Sequence, residues 1–276
     1  MLLSSILFST LLIGCGEKEE NSGKTQTVVG KTKAKFQKFD QAAINETSEK
    51  IDPVPSPLKM SEMLKKAAIE SVVAELAKER KNPTLKTDKE SIAVQCGVLI
   101  ADVVLMVNTA PKEALSQRLT NLKDGFNALS VKGGAPETID EMIETLKEDN
   151  FDRKVLLEEM DDLSQAMVAE LEYEAGTWVA PLIQAGMWLE GANLISNALA
   201  STDKVNEADP FIKQPGIIKY FLRYVQKKAA KTTPKSVVAS LESTLKQLHE
   251  IAKKDKLSKE DLGKVTNITS TLLGRL

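Results

Sequence analysis

The sequence predicts an all-α fold, a multi-helix bundle of about eight helices around two central apolar helices. Three observations predict it. Hydrophobic residues make up 42% of the chain and aromatics only 4%, with Ala, Leu, Lys and Glu abundant; these side chains lose little rotamer freedom on a helix. Apolar residues recur every three or four positions, as in Leu156, Met160, Leu163, Met167 and Leu171, the period of one helix face. No run sustains the period-two alternation of a half-buried strand, so no sheet is expected.

The helical domain is expected over residues 56–276. Ser56-Pro57 reads as an N-cap followed by proline in the first turn, opening a helix to about Arg80 with Leu64, Ala68, Val72 and Leu76 on one face. After a loop over 81–87, the capping box Thr87-Asp88-Lys89-Glu90 opens "SIAVQCGVLIADVVLMV". Ala110-Pro111 opens "KEALSQRLTNLKDGFNAL", which stops before Gly133-Gly134. Thr138 with Glu141 opens a short acidic helix, and Asp152 starts a longer one that Gly176-Thr177 breaks. In "WVAPLIQAGMWLEGANLISNALA", Pro181 is acceptable only in the first turn, which places the N-cap near Thr177. Residues 202–215 form a loop with room for one helical turn. Helices then follow at about 216–230, 234–254 and 258–274, the last two opened by Thr233-Pro234 and by Ser258 with Asp261.

Two of these helices, 91–107 and 178–199, are apolar nearly all round, the pattern of a helix buried among others. Both carry small residues at helical spacing, Ala93/Gly97/Ala101 and Ala185/Gly186/Gly191/Ala192, which let backbones approach closely. They are expected to form the central pair. Each is short for a bilayer and contains an acid, so neither reads as a membrane span.

The N-terminus carries a different signal. Residues 1–14 are apolar or small, and from Glu17 the chain turns polar. The run is too short to span a bilayer, which needs about 20 apolar residues, and reads as a secretion signal. Leu12-Ile13-Gly14-Cys15 resembles the lipobox of bacterial lipoproteins: a Leu, a variable residue, a small residue, then Cys. The resemblance implies that the Cys15 thiol receives a diacylglyceryl group, that residues 1–14 are removed, and that the new amino terminus is acylated. Membrane lipid is then the partner of Cys15. Met1-Leu2-Leu3 has no Lys or Arg, unlike most secretion signals, so the true start is expected upstream. Gly16, where Asp commonly retains lipoproteins in the inner membrane, leans the expected location towards the outer membrane.

Residues 15–55 are polar, poor in aliphatics and end in two prolines, Pro53 and Pro55, so they are expected to be a tether. A flexible coil of about 40 residues has a mean span of roughly 35 Å. Within it, "KTKAKFQKF" interleaves four lysines with Phe36 and Phe39. It reads either as a patch for anionic lipid or cell-wall polymer or as a solvated linker.

Counting removes most catalytic chemistry. His249 is the single histidine: a Ser-His-Asp set could use only it, and no G-x-S-x-G elbow is there to join it, while a bundle needing two Glu-x-x-His motifs is short of one. H-E-x-x-H and C-x-x-C are missing, and no metal site or cofactor is expected. "SGKT" at 22–25 lacks the first glycine of a phosphate loop. Cys96 has no partner once Cys15 is lipidated, and a net charge of -2 argues against nucleic acid. Residues 136–176 hold fourteen acids against three bases, whereas the helices from Phe211 onward are rich in lysine; these faces could meet each other or steer a partner.

Two acids lie in apolar helices. Asp102 shares a stripe with Gln95, and Glu190 shares one with Asn193 and Asn197. With Trp178 and Trp188 nearby, Asp102, Glu190 and Asn193 are candidate ligand-binding residues; alternatively, each stripe is a wet edge or the two hydrogen-bond to each other. The functional expectation is a membrane-anchored, non-catalytic lipoprotein acting by protein interaction or scaffolding, with an envelope protein as the expected partner and binding of a small or apolar ligand between the central helices as the alternative.

Overall fold

The computed structural model describes residues 54–229 and 236–276. Cys15, the signal at 1–14, the tether up to residue 53 and the helix opening at Thr233-Pro234 lie outside the described residues. The described residues all belong to the unit Phe36–Leu276, and among them every regular element is a helix.

Ten of these helices have ten or more residues, one more than the nine set out from the sequence. The first predicted helix is two, α1 (Pro57–Lys66) and α2 (Glu70–Glu79). Ser56 caps α1 as expected, its hydroxyl accepting from the Lys59 N–H. The break falls at Ala68, which adopts φ 51° while the Ile69 N–H turns back to the Leu64 carbonyl at 3.2 Å. Alanine propensity favours continuing the helix. Tertiary contacts override it: the Lys204 ammonium donates to the carbonyls of Ala67 and Ala68 at 2.9 and 2.8 Å, and Ile69 is fully buried.

The central pair is α3 (Lys89–Met106) and α7 (Val179–Ser201). Fifteen of 18 residues in α3 and 18 of 23 in α7 are buried, so both are enclosed rather than amphipathic. Their backbones nearly touch. A Cβ on Gly97 would lie 2.0 Å from the Ile183 carbonyl oxygen, and one on Gly186 would lie 2.2 Å from that of Val94. Only glycine fits at either crossing point. The cap of α3 is Asp88, which accepts from Ser91, one residue beyond the expected Thr87.

Around the pair stand α4 (Lys112–Ala128), α5 (Gly134–Lys147), α6 (Arg153–Glu174), a four-residue α8 (Asp209–Ile212), α9 (Pro215–Ala229), α10 (Val237–Ala252) and α11 (Lys259–Leu273). A short 3-10 turn, Val205–Glu207, precedes α8. Helices α2, α4 and α10 pack on α3, whereas α11, α2, α6 and α9 pack on α7. The acidic α5 and α6 lie against each other, with α5 on α4 and α6 on α1 and α7. Asp152 caps α6, and Ser258 with Asp261 forms the full capping box of α11.

Helix α5 starts four residues before the expected cap at Thr138, whose hydroxyl instead bonds back to the Gly134 carbonyl. Its cap comes from another helix. Glu170 accepts from the Ala135 N–H at 3.0 Å, and Glu174 accepts from Lys132 and Gly133 at 2.7 and 3.3 Å. Two carboxylates one turn apart on α6 thus face the positive end of the α5 dipole. At α7 the N-cap position is Trp178 rather than Thr177, because Gly176 at φ 105° makes the turn one residue later. No helix among the described residues is long and apolar enough to cross a membrane.

Candidate functional site

The seam between α3 and α7 carries a buried ionic network on one side and an apolar crevice on the other. Asp102 on α3 is 1% exposed and Glu190 on α7 is 0% exposed. Neither is left to itself. Arg118, projecting from α4, donates through Nε to Asp102 Oδ2 at 2.9 Å. Its Nη2 reaches the carbonyls of Arg80 and Ala77 at 2.5 and 3.4 Å, satisfying the C-terminal end of α2. Arg80, just past α2, sets Nε 3.0 Å from Glu190 Oε1 and donates through Nη2 to Asn193 Oδ1. Asn193 Nδ2 continues into α11, to Thr269 Oγ1 and Ser270 Oγ, both at 2.7 Å, and to the Thr266 carbonyl at 2.9 Å. Two acids, two arginines and an amide therefore tie five helices together.

The network is incompletely satisfied. Asp102 Oδ1 and both Glu190 carboxylate oxygens are sealed from solvent without a hydrogen bond among the described residues, Arg80 lying at ion-pair distance but off the bonding direction. Burial disfavours the charged form of each acid. It pushes Asp102 up to about 6 against the pull of Arg118 and Arg80. Burial and the neighbouring Asp102 charge push Glu190 up to about 8, again against both arginines. With both carboxylates closed off, the arrangement offers no route for a substrate; its chemistry is to hold helices in register.

Trp188 faces the other way. It is 6% exposed, and its indole Nε1 donates to Gln214 Oε1 at 2.7 Å. It lines a crevice of about 50 Å³ together with Ala101, Val104, Met187, Gly191 and Ile195. A Cβ on Gly191 would meet nothing within 4 Å, so this glycine opens on the gap rather than on a helix. Val54, Pro55 and Met60 form one wall. An engineered apolar cavity that accepts benzene has a volume of about 150 Å³. A ligand here would have to part the wall residues.

The candidates named from sequence thus separate. Asp102, Glu190 and Asn193 come together in the network, Trp188 lines the crevice, and Trp178 stands at the N-cap of α7. Ten residues of helix put the two tryptophans roughly 15 Å apart along the axis. Arg80 and Arg118 were missed. Arg118 had a readable signal, since Leu115, Arg118, Leu119 and Leu122 follow i, i+3, i+4, i+7 spacing and all are buried. A cation at a core position demands a buried acid, and Asp102 was that acid. Arg80 lies beyond a helix end and carried no periodic signal.

Cys96 is buried and free, and burial pushes its thiol up, so it is an unreactive packing residue. Among the described residues no group of three His, Cys, Asp or Glu is placed to hold a metal ion. Comparison with protein-family models, curated proteins and solved structures finds no match.

Proposed function

We propose that this chain is a bacterial lipoprotein, anchored through acyl chains on Cys15, whose helical bundle acts outside the cytoplasm by binding another envelope protein. The observation that carries the reading is Leu12-Ile13-Gly14-Cys15 at the end of a short apolar run. Each buried methylene contributes about 0.8 kcal/mol and one chain binds only marginally, so the two or three chains of a lipidated cysteine are what make an anchor. The non-catalytic part of the reading is supported by Asp102 and Glu190, the acids best suited to proton chemistry, which are closed off and held by arginines. Tyr173, 91% exposed on α6, is an aromatic available to a protein partner.

Cells expressing the chain and fed labelled palmitate test the anchor. Label should enter the wild-type protein and not Cys15→Ser, and the variant should leave the membrane fraction. Label in both, or in neither, removes the proposal.

A second reading is favoured by one observation, the gap at Gly191 beside Trp188. An apolar ligand such as lauric acid would enter there and quench Trp188. Quenching that survives in Trp188→Phe but is lost in Trp178→Phe would place the ligand elsewhere and end this reading.

A further inference from the structure

Helices α10 and α11 flank an open surface trough of about 440 Å³ that shares no residue with the crevice at Trp188. Its lining is unusual for this surface. Ser240, Ser243, Thr244 and Gln247 follow i, i+3, i+4, i+7 spacing and occupy one face of α10. Opposite them, Asn267, Thr271 and Arg275 recur every fourth residue along α11 and just past its end. In a chain that is 28% charged, the trough carries one charge, Arg275. No acid lines it. Arg275 Nη1 donates only to Ser240 Oγ, at 3.3 Å, and has no carboxylate partner among the described residues.

Thr244 supplies a second and independent observation. A helical threonine often bonds back to the carbonyl four residues earlier, and Thr120, Thr145, Thr266 and Thr271 all do so here. Thr244 does not, although it is 7% exposed. Its hydroxyl is unpartnered among the described residues and is not sealed, so it opens on the trough it lines. The side chains of Ser243 and Asn267, both exposed at the trough, make no hydrogen bond among the described residues.

We infer that this trough binds a small carboxylate with neighbouring hydroxyl or amide groups. The acid sits on Arg275, and the neutral groups sit on Thr244, Ser243, Gln247 and Asn267. A guanidinium fork matches a carboxylate in shape and charge. Hydroxyl and amide side chains donate and accept, so they suit a ligand that does both. The volume falls among ligand sites, which span about 300–1,000 Å³. A sugar acid and a peptide C-terminus share this chemistry, and the probes separate them.

Saturation-transfer NMR on the full chain in neutral detergent tests the site with glucuronate, glucose, trialanine and trialanine amide. One or both acids should give signal and their neutral counterparts little; which acid responds identifies the source. Arg275→Met should weaken the responding acid at least about tenfold, with Arg275→Lys intermediate because charge without the fork is a poorer match. Thr244→Val, nearly the same shape, should weaken it without altering the circular dichroism spectrum. Equal signal from acids and neutral probes, no signal from any, or binding unchanged in Arg275→Met overturns the inference.

Discussion

Glu190 shows how a buried charge sets the behaviour of this protein at the level of single residues. It has two sealed carboxylate oxygens that accept no hydrogen bond among the described residues, with Arg80 Nε 3.0 Å from Oε1. Folded Glu190 therefore holds its proton to higher pH than unfolded glutamate does. The stability this contributes is complete below about 4.5 and is lost as pH rises through about 8, with Asp102 adding the same sign between about 3.8 and about 6. Urea unfolding across this range should show stability falling with pH, and Glu190→Gln, which cannot ionise, should flatten the fall. An unchanged slope in the variant would contradict the assignment. Arg118 makes the complementary case. Its side chain is 6% exposed, so Arg118→Met strands Asp102 in the core, and breaking such a pair costs about 3–5 kcal/mol. The double change Asp102→Asn with Arg118→Met should recover much of that loss, because no charge is then left uncompensated. If it is no more stable than Arg118→Met alone, the pair is not the reason for the loss.

At the scale of the element, the α3–α7 crossing is the part of the fold most plainly written in the chain. Apolar residues all round each helix and small residues at helical spacing identified the pair, and Gly97 and Gly186 occupy its points of closest backbone approach. Gly97→Ala should destabilise by about 1–3 kcal/mol or more, since overpacking must push the helices apart. Gly191→Ala should do the reverse and gain up to about 1 kcal/mol, the difference in helix propensity between the two residues, because its Cβ meets open space. Melting curves of the two variants must move in opposite directions. What was not readable were features whose cause lies on another element. The break at Ala68 depends on Lys204, and the start of α5 depends on Glu170 and Glu174. A local capping rule could find neither, because the partners are far away in sequence. Glu170→Ala should therefore cost a helix it does not belong to about 0.5–2 kcal/mol, the usual value of an N-cap. Hydrogen exchange would register that as faster exchange at the first turn of α5.

For the molecule as a whole, the all-α class followed from composition and periodicity, and the candidate site followed only in part. The acids in apolar helices were visible because they interrupt a pattern; the arginines that answer them were not, since one sits on a stripe with leucines and the other beyond a helix end. The charge segregation also has a structural outcome. The acid-rich α5 and α6 pack on α4, α1 and α7, while α9, which carries Lys219, Arg223, Lys227 and Lys228 and no acid, packs on α10 and α7. The most direct test of the account is the chemical state of residue 15 in protein purified from membranes. Mass spectrometry of the amino-terminal tryptic peptide should find Cys15-Gly16-Glu17-Lys18 carrying a diacylglyceryl group on sulfur, with residues 1–14 gone. A peptide running unbroken through Gly14 into an unmodified Cys15 would contradict it.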